Sequence, residues 1–288
     1  MITWPMEIID SIARRRSVLF LGSGISANSK SADGLKTPPT WENFLRKAMA
    51  QITDTAFIET LLAEKDYLTA CDIIVQKTGK TDFERIAKEE FLLPRYSKHF
   101  IHEQILKLDS RIVVTPNVDK IYEVYAQSET CGTILVKNYY DSDIVNKVRS
   151  DEHIILKIHG TLDVSTKMIF TRKQYTNARY EFAAFYKILE ALTLTHTFIF
   201  LGCGYSDPDI RLILENYTFN FPDSYPHYMV SPFDKINDDM KNILKENSNI
   251  EIITYDPVNH HKELLDSLEE LVNLVESKRE VIAGEMTW

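Results

Sequence analysis

The sequence has few cysteines, no long apolar run and no excess of positive charge. Its three cysteines, Cys71, Cys131 and Cys203, are far apart and form no CxxC pair, which argues against a disulfide framework and against a structural zinc site. No stretch of 18 apolar residues is present, so a membrane-spanning helix is not expected. The net charge of -9 argues against sequence-independent binding to nucleic acid, which requires a basic surface.

The N-terminal residues differ from a secretory signal peptide. In MITWPMEIIDSIARRR the positive charges follow the apolar part, whereas a signal peptide carries them before it. Together with the scattered cysteines, this order predicts a cytoplasmic protein with neither a membrane nor a nucleic acid as a direct partner. The 288 residues, of which 44% are hydrophobic, are enough to bury the core of one large domain.

Short apolar runs alternate with helical patterns along the chain. The runs are SVLFLG, RIVVTPN, HIILKIHG, TFIFLGCG, HYMVS and IEIITYD. They are rich in β-branched or aromatic residues and do not alternate with polar residues, which is typical of strands that are buried on both faces. The pattern predicts an α/β fold with a Rossmann-like, doubly wound parallel sheet of about six strands.

Two intervals between the runs are too long for simple crossovers. Residues of about 41–108 have helical apolar spacing throughout, and a second insert, expected to be helical, covers about 162–195. We expect the two to form a smaller helical module or lid over the sheet, with a ligand between the layers. The whole chain, 1–288, is predicted to be a single domain. Its sheet core then comprises about 10–40, 109–160 and 196–280. The last helix, within HKELLDSLEELVNLVESKR, is expected to pack one apolar face on the sheet rather than present it as an oligomer or partner surface. That face consists of Leu264, Leu265, Leu268, Leu271, Leu274 and Val275.

A glycine loop follows the first predicted strand. In VLFLGSGISA, Gly22, Gly24 and Ala27 have the spacing G-x-G-x-x-A of a dinucleotide-binding turn. Such glycines permit a tight turn and a close approach to a pyrophosphate, and Ser23 and Ser26 can donate to its oxygens. The loop lacks the Lys-Ser/Thr ending of a P-loop, which argues against a kinase or ATPase. A glycine loop after a strand can also be only a turn.

Polar residues follow the second and third of these runs. Asn117 and Asp119 come just after a strand in VVTPNVDKIY; they either cap the next helix or hold ribose hydroxyls and orient a water. His159 ends the strand in HIILKIHG, where it is either a structural histidine or a base that titrates near neutral pH. We expect Gly160 beside it to leave room for a ligand.

A second glycine turn occurs in FLGCGYSDPDIR. It contains Gly202 and Gly204, and Ser206 is a candidate N-cap of the following helix. Cys203 between the glycines is expected to be a small buried thiol and not a nucleophile. Because ligands of open α/β sheets bind beyond the carboxyl ends of the strands, Gly22, Asn117, His159 and Gly202 are predicted to converge on one site.

Four motifs together resemble those of the sirtuin family of NAD-consuming proteins. GSGIS at 22–26, TPNVD at 115–119, KIHG at 157–160 and LGCGYSD at 201–207 occur in the family's order on successive strand ends. The resemblance implies that His159 is the catalytic base and that Asn117 and Asp119 line the nicotinamide-ribose pocket. Gly22, Ser23, Gly24 and Ser26 would contact the NAD phosphates. Gly202, Gly204 and Ser206 complete the expected NAD-binding set.

The sequence also departs from the protein-deacylating sirtuins. It lacks their paired zinc cysteines, their acidic-aromatic-arginine stretch and their peptide-binding strand, and Pro116 stands where glutamine is usual. In these respects it resembles the zinc-less branch found in bacterial anti-phage systems, whose members hydrolyse NAD+. The resemblance implies NAD+ as a substrate, no zinc, and an effector that depletes NAD+ in the infected cell, which is abortive infection.

Two other functions remain open at this stage. A non-catalytic sensor could bind NAD or ADP-ribose and signal to a partner, but it would not need a base, so the presence of both Asn117 and His159 favours catalysis. A deacylase with unusual peptide recognition is disfavoured by the missing motifs. Because a freely running NAD+ hydrolase would poison its own cell, we expect restraint by homo-oligomerisation or by a separate activating or inhibiting defence protein.

Overall fold

The sheet of the protein is parallel throughout its described strands. The computed structural model describes residues 1–204, 211, 214, 218–221 and 223–287. The strands are β1 (Ser17–Leu21), β2 (Ile112–Thr115), β3 (Leu135–Asn138), β4 (Ile154–Lys157), β5 (Thr197–Leu201), β6 (His227–Pro232) and β7 (Ile250–Tyr255). They form one seven-stranded sheet in the order β3-β4-β2-β1-β5-β6-β7, and every pair is parallel. The predicted α/β class and Rossmann-like parallel sheet are confirmed.

Helices connect most of the strands. In chain order they are α1 (Met6–Ala13), α2 (Ser23–Ser26), α3 (Trp41–Ala48), α4 (Ala56–Ala63), α5 (Tyr67–Thr78), α6 (Lys80–Phe91), α7 (Phe100–Lys107), α8 (Ile121–Glu129), α9 (Ile144–Arg149), α10 (Arg172–Glu181), α11 (Ala183–Thr195), α12 (Asp238–Ser248) and α13 (Val258–Glu285). Two 3₁₀ turns cover Leu162–Lys167 and Phe233–Lys235. Within the described ranges, no helix is long and apolar enough to cross a membrane.

The sheet separates two apolar cores. Along β1, Leu19 and Leu21 face one core and Val18 and Phe20 face the other, because successive side chains of a strand point to opposite faces. Helices α1, α7 and α13 pack on the first face and α11 packs on the second. Burial on both faces explains why the strands are apolar without alternation.

The C-terminal helix packs on the first face of the sheet, as its apolar pattern predicts. Leu264, Leu268, Leu271 and Val275 are buried in the same core as α1 and α7. The first residues of α13, 259–261, have left-handed backbone conformation, so the regular right-handed helix starts after them. The interpretation as a core-packing helix is therefore confirmed, except at Leu274, which is exposed.

A third apolar cluster forms a helical layer above the sheet. It contains α3 to α6 and centres on Phe44, whose ring lies 5.0–5.6 Å from those of Phe83, Phe91 and Phe170. Helices α7 and α11, which fall within the two intervals expected to be helical, pack on the sheet cores and not in this layer. The assignment of the chain to one domain stays a prediction.

Strand β3 (Leu135–Asn138) was not among the six strands predicted from the apolar runs. All four of its residues are only half-buried, and it pairs on one side with β4 at the edge of the sheet. An edge strand needs less apolar sequence than a central one, so LVKN, with two polar residues, carries no strong strand signal.

The strand order places a crevice at β1. From β1 the chain moves outward through β2 on one side, and from β4 it returns to β5 on the other side of β1. In doubly wound sheets ligands bind at such a reversal, outside the carboxyl ends of the strands. The residues that follow β1 and β5 are Gly22 and Gly202.

Candidate functional site

A cavity of about 560 Å³ lies between the carboxyl ends of the strands and the helical layer. Among the described residues, it is bordered at the strand ends by Phe20, Gly22, Ser23, Ser26, Pro116, Asn117, Val118, Asp119, His159, Gly202, Cys203 and Gly204, and elsewhere by Pro38, Pro39, Trp41, Lys65, Asp66, Tyr67, Leu68, Phe91, Ile169, Phe170, Arg172, Tyr175, Arg179 and Arg211. Its volume is in the range of small-molecule and cofactor sites. Gly22, Asn117, His159 and Gly202 all border it.

The two glycine turns contact each other through their backbones. The amide of Gly22 donates to the carbonyl of Leu201 over 2.9 Å, and the amide of Gly24 donates to that of Gly202 over 2.9 Å. A Cβ at Gly22 would lie 2.4 Å from the Gly202 oxygen, and one at Gly202 would lie 2.6 Å from the amide nitrogen of Ile25. No other residue type fits these two positions without moving backbone.

The close approach gives Gly24 a structural role. A Cβ there would lie 2.9 Å from the Gly202 oxygen, and Gly24 is not among the residues that border the cavity. Ser23 and Ser26 of the same loop do border it. Contact between Gly24 and a phosphate remains a prediction.

Asn117 links the second strand end to the first glycine turn. Its Nδ2 donates to the Gly22 carbonyl over 3.0 Å and to the Ser26 hydroxyl over 3.3 Å. The amide of Asn117 donates to the Thr115 hydroxyl, which itself donates to the Leu21 carbonyl. Because the two Nδ2 hydrogens are used within the loops, the carboxamide oxygen is the group that Asn117 can offer to a ligand.

Asp119 lies just before α8 and borders the cavity. Its Oδ1 accepts from the amide of Ile121 over 3.0 Å, which is a turn two residues along the chain, whereas the N-cap of α8 is Lys120, with no side-chain capping bond. Its Oδ2 accepts from the Ser26 hydroxyl over 2.9 Å. The side chain is 8% exposed and borders the cavity, and its contact with a ligand stays a prediction.

His159 is buried and borders the cavity. Its ring is 6% exposed and makes an edge contact with Tyr175 of α10, with 4.9 Å between ring centroids. The His159 carbonyl accepts from the amide of Ile169 over 3.0 Å, which ties the end of β4 to the segment before α10. The ring is thus held between the sheet and the second helical interval.

The expectation for Gly160 is wrong. This glycine has a φ of +78°, and a Cβ on it would lie 2.5 Å from the carbonyl oxygen of Lys167. Backbone of the 3₁₀ turn therefore occupies the space beside Gly160, and the residue does not border the cavity. Glycine is needed there for a left-handed conformation and for this contact, not to admit a ligand.

The other strand-end residues have mixed outcomes. Gly204 borders the cavity, whereas Ser206 lies outside the described residues. Cys203 was expected to be buried, but it is half-buried and borders the cavity. Its Sγ lies 3.4 Å from the Leu201 carbonyl oxygen. In the described part of the chain, no group of three or more His, Cys, Asp or Glu side chains could hold a metal ion.

An aromatic wall faces these polar groups, and the sequence motifs did not identify it. Trp41 is stacked on Phe170 with 5.3 Å between centroids and 10° between planes, and both border the cavity together with Tyr67 and Tyr175. Trp41 follows Thr40, whose hydroxyl caps α3. In the sequence, only PPTW at residues 38–41 indicates this wall, since it places a helix-capping threonine and a tryptophan at the start of a predicted helix.

Among the described residues, positive side chains outnumber negative ones around the cavity. Lys65, Arg172, Arg179 and Arg211 border it, against the carboxylates of Asp66 and Asp119. Arg172 lies 3.5 Å from Asp66. In a chain with net charge -9, this local excess favours an anionic ligand.

A buried ion pair lies beneath the strand ends. Lys157, at the end of β4, is 1% exposed, and its Nζ lies 2.5 Å from Oε2 of Glu123 on α8. The same Nζ donates to the backbone carbonyl of Asp119 over 2.6 Å. Burial raises the pKa of Glu123, while the charge of Lys157 opposes this shift. A lysine within an apolar run indicates that an acidic partner is buried beside it. The sequence does not show that this partner is Glu123, 34 residues earlier.

Comparison with known proteins agrees with this architecture. The model of the SIR2-like domain matches residues 111–253. The chain is 28% identical over 246 residues to an NAD(+) hydrolase ThsA from Enterococcus faecium, covering 83% of this chain and 46% of that protein. It is 25% identical over 234 residues to a ThsA from Acinetobacter baumannii, covering 80% and 45% respectively.

A third relative is longer still. Defense-associated sirtuin 2 of Bacillus subtilis is 23% identical over 211 residues, which cover 72% of this chain and 20% of that protein. The chain thus spans about half the length of the ThsA relatives and a fifth of the sirtuin. The SIR2-like match includes the strand ends that carry Asn117 and His159 in the parallel Rossmann-like sheet, and over residues 111–253 the chain is similar to that family.

Proposed function

We propose that the protein is an NAD+ hydrolase that cleaves NAD+ to nicotinamide and ADP-ribose. The observation that carries this proposal is the convergence of Asn117, His159 and the two glycine turns on one cavity at the strand reversal. The similarity to relatives named NAD(+) hydrolase supports it.

The character of the cavity also supports a dinucleotide substrate. NAD+ carries two phosphates and two planar bases, which suit the excess of positive side chains and the aromatic wall of Trp41, Phe170 and Tyr175. Ser23, Ser26 and the turn at Gly22 border one part of the cavity, where we place the diphosphate. The nicotinamide ribose then lies toward Asn117 and His159.

The reaction breaks the bond between nicotinamide and ribose. As this bond lengthens, positive charge develops at the anomeric carbon, so the enzyme must hold the ribose and supply a water to the exposed face. Nicotinamide leaves as a neutral base, and the water becomes the anomeric hydroxyl of ADP-ribose. One proton is released from the water during attack.

His159 is the proposed acceptor of that proton, taken from the water or through a ribose hydroxyl. The edge contact with Tyr175 and the bond from Ile169 to the His159 backbone fix the ring in place. Asn117 is proposed to hold the ribose or the water through its carboxamide oxygen, because its Nδ2 is anchored on Gly22 and Ser26. Neither role requires zinc, and the sequence lacks the zinc cysteines of the protein-deacylating sirtuins.

In the cell we propose a cytoplasmic effector of anti-phage defence that depletes NAD+ and thereby aborts infection. Relatives named for defence and for NAD+ hydrolysis support this role. Because depletion is toxic, we propose that the activity is held in check by assembly of several copies or by a separate defence protein.

The proposal is tested by product analysis. Purified protein is incubated with NAD+, alone and with lysate from phage-infected cells, and nicotinamide and ADP-ribose are separated and quantified. We expect equimolar products from the wild type, and a loss of at least about 10²-fold for His159→Ala and for Asn117→Ala. His260→Ala, an exposed histidine at the start of α13, is the matched control and should leave the rate unchanged.

Thermal unfolding of each variant separates chemistry from folding. Asn117→Ala also removes two loop hydrogen bonds, so its rate is compared at a temperature where the variant is fully folded. If the wild type shows no turnover in any condition but binds NAD+ or ADP-ribose tightly, the hydrolase proposal fails and the protein is a sensor.

A further inference from the structure

Lys157 is the most buried charged side chain near the site, and the proposed reaction does not use it. It is 1% exposed, and its partner Glu123 is 6% exposed. Removing two charges from water is costly, and apolar side chains of the same size often stabilise a fold as well or better. The pair therefore calls for an explanation other than stability.

The contacts of Lys157 join three parts of the site. The residue ends β4, two positions before His159. Its Nζ reaches Oε2 of Glu123 on α8 over 2.5 Å and the backbone carbonyl of Asp119 over 2.6 Å. Lys157 therefore connects the strand that leads to His159 with the segment that contains Asn117 and Asp119.

We propose that Lys157 is a positioning residue, which fixes the Asn117–Asp119 segment relative to His159 through its bond to the Asp119 carbonyl. Glu123 compensates the buried charge and does not itself position the segment. The expected effect of Lys157 on turnover rests on the proposed hydrolase function. Its effect on the order of the Asn117–Asp119 segment can be measured without turnover.

The positioning role of Lys157 matters because the two proposed catalytic side chains lie on separate loops, and a shift of one loop relative to the other lowers the reaction rate. A catalytic group that moves by about 1 Å can lower the rate on the order of 10²-fold, without any loss of the group itself. Asn117 and His159 lie on separate strand ends, and Lys157 bridges those ends directly.

Three variants separate positioning from folding. Lys157→Met with Glu123→Leu removes the whole pair and leaves no unpaired charge. Glu123→Gln keeps a hydrogen-bond acceptor for Lys157 and keeps the bond to Asp119, but leaves the buried lysine uncompensated. Lys137→Met is the control: it breaks the more exposed pair between Lys137 on edge strand β3 and Asp143 at the start of α9, which are 2.7 Å apart.

Turnover and stability should change independently of each other across these variants. We expect the double variant to unfold at a urea concentration close to that of the wild type, yet to lose about 10²-fold in kcat with less than threefold change in KM. Glu123→Gln should unfold at lower urea while its kcat falls by less than about threefold. Lys137→Met should change neither. A kcat that follows stability across these variants would overturn the proposal.

Hydrogen exchange provides the readout that does not depend on hydrolysis. In the double variant, the amides of Asn117 and Ile121, which bond within the segment, should exchange at least tenfold faster, while amides of β1 should not change. Equal protection in wild type and double variant would refute positioning, even if the wild type hydrolyses NAD+. Faster exchange without any wild-type hydrolysis would support the positioning role and refute the hydrolase function alone.

Discussion

The contact between the two glycine turns predicts a graded series of alanine substitutions. Gly22 has an ordinary φ of -86°, but a Cβ on it would lie 2.4 Å from the Gly202 oxygen and 2.8 Å from the Cys203 Cα. Gly132 has a φ of +79° and no atom within 4 Å of its Cβ position. Gly202 combines a φ of +64° with an atom 2.6 Å away. The three positions separate the cost of crowding from the cost of backbone conformation.

The magnitudes follow from these geometries. Gly132→Ala should lower the free energy of unfolding by about 1–2 kcal/mol, the cost of an L-residue in the left-handed region. Gly22→Ala should cost about 1–3 kcal/mol from overpacking, toward the upper end because backbone atoms must move. Gly202→Ala combines both and should cost about 2–5 kcal/mol. Gly284→Ala, inside α13 with no atom within 4 Å, should stabilise by about 0.5–1 kcal/mol.

Urea unfolding, followed by far-ultraviolet circular dichroism, measures all four variants against the wild type. Gly22→Ala and Gly202→Ala should also weaken NAD+ binding, since both turns border the cavity, whereas Gly132→Ala should not. A Gly22→Ala protein within about 0.5 kcal/mol of the wild type would refute the tight contact.

Three further predictions concern the core, pH dependence and the polar network. Phe44→Ala, at a fully buried ring in the helical layer, should destabilise by about 3–5 kcal/mol in urea unfolding. Burial lowers the pKa of His227 to about 4, so the unfolded chain binds more protons between pH 6.5 and 4 and stability falls as pH drops through that window. The loss is up to about 3 kcal/mol, and His227→Gln should flatten the curve of unfolding free energy against pH. Ser26→Ala deprives the buried Asp119 carboxylate of a donor and should cost about 1–3 kcal/mol in urea unfolding, with slower NAD+ turnover.

The sheet and the strand-end residues were predictable because they depend on local sequence. Apolar runs without alternation indicate buried parallel strands, and parallel strands bring their carboxyl ends together. Gly22, Asn117, His159 and Gly202 could therefore be expected at one edge. Strand β3 was missed because an edge position tolerates a short, half-polar sequence.

The opposite wall of the cavity could not be predicted in the same way. Trp41 and Tyr67 reach the site because the helical layer packs over the sheet, and Tyr175 reaches it from α10, which packs in the second sheet core. Helical spacing alone does not fix where a helix packs. The error at Gly160 has a similar cause, since its neighbour, the Lys167 carbonyl, comes from a later turn. Pairing of Lys157 with Glu123 likewise depends on the packing of α8 against the sheet.

The central claim is that this cavity holds NAD+ with its reacting ribose between Asn117 and His159. A crystal structure of the His159→Ala protein with NAD+ tests it most directly, because slower turnover preserves the substrate. We predict the diphosphate against the turn at Gly22–Ser26 and the nicotinamide ribose within hydrogen-bond distance of the Asn117 side chain. A dinucleotide bound elsewhere, or bound here with its ribose away from Asn117 and position 159, would contradict the account.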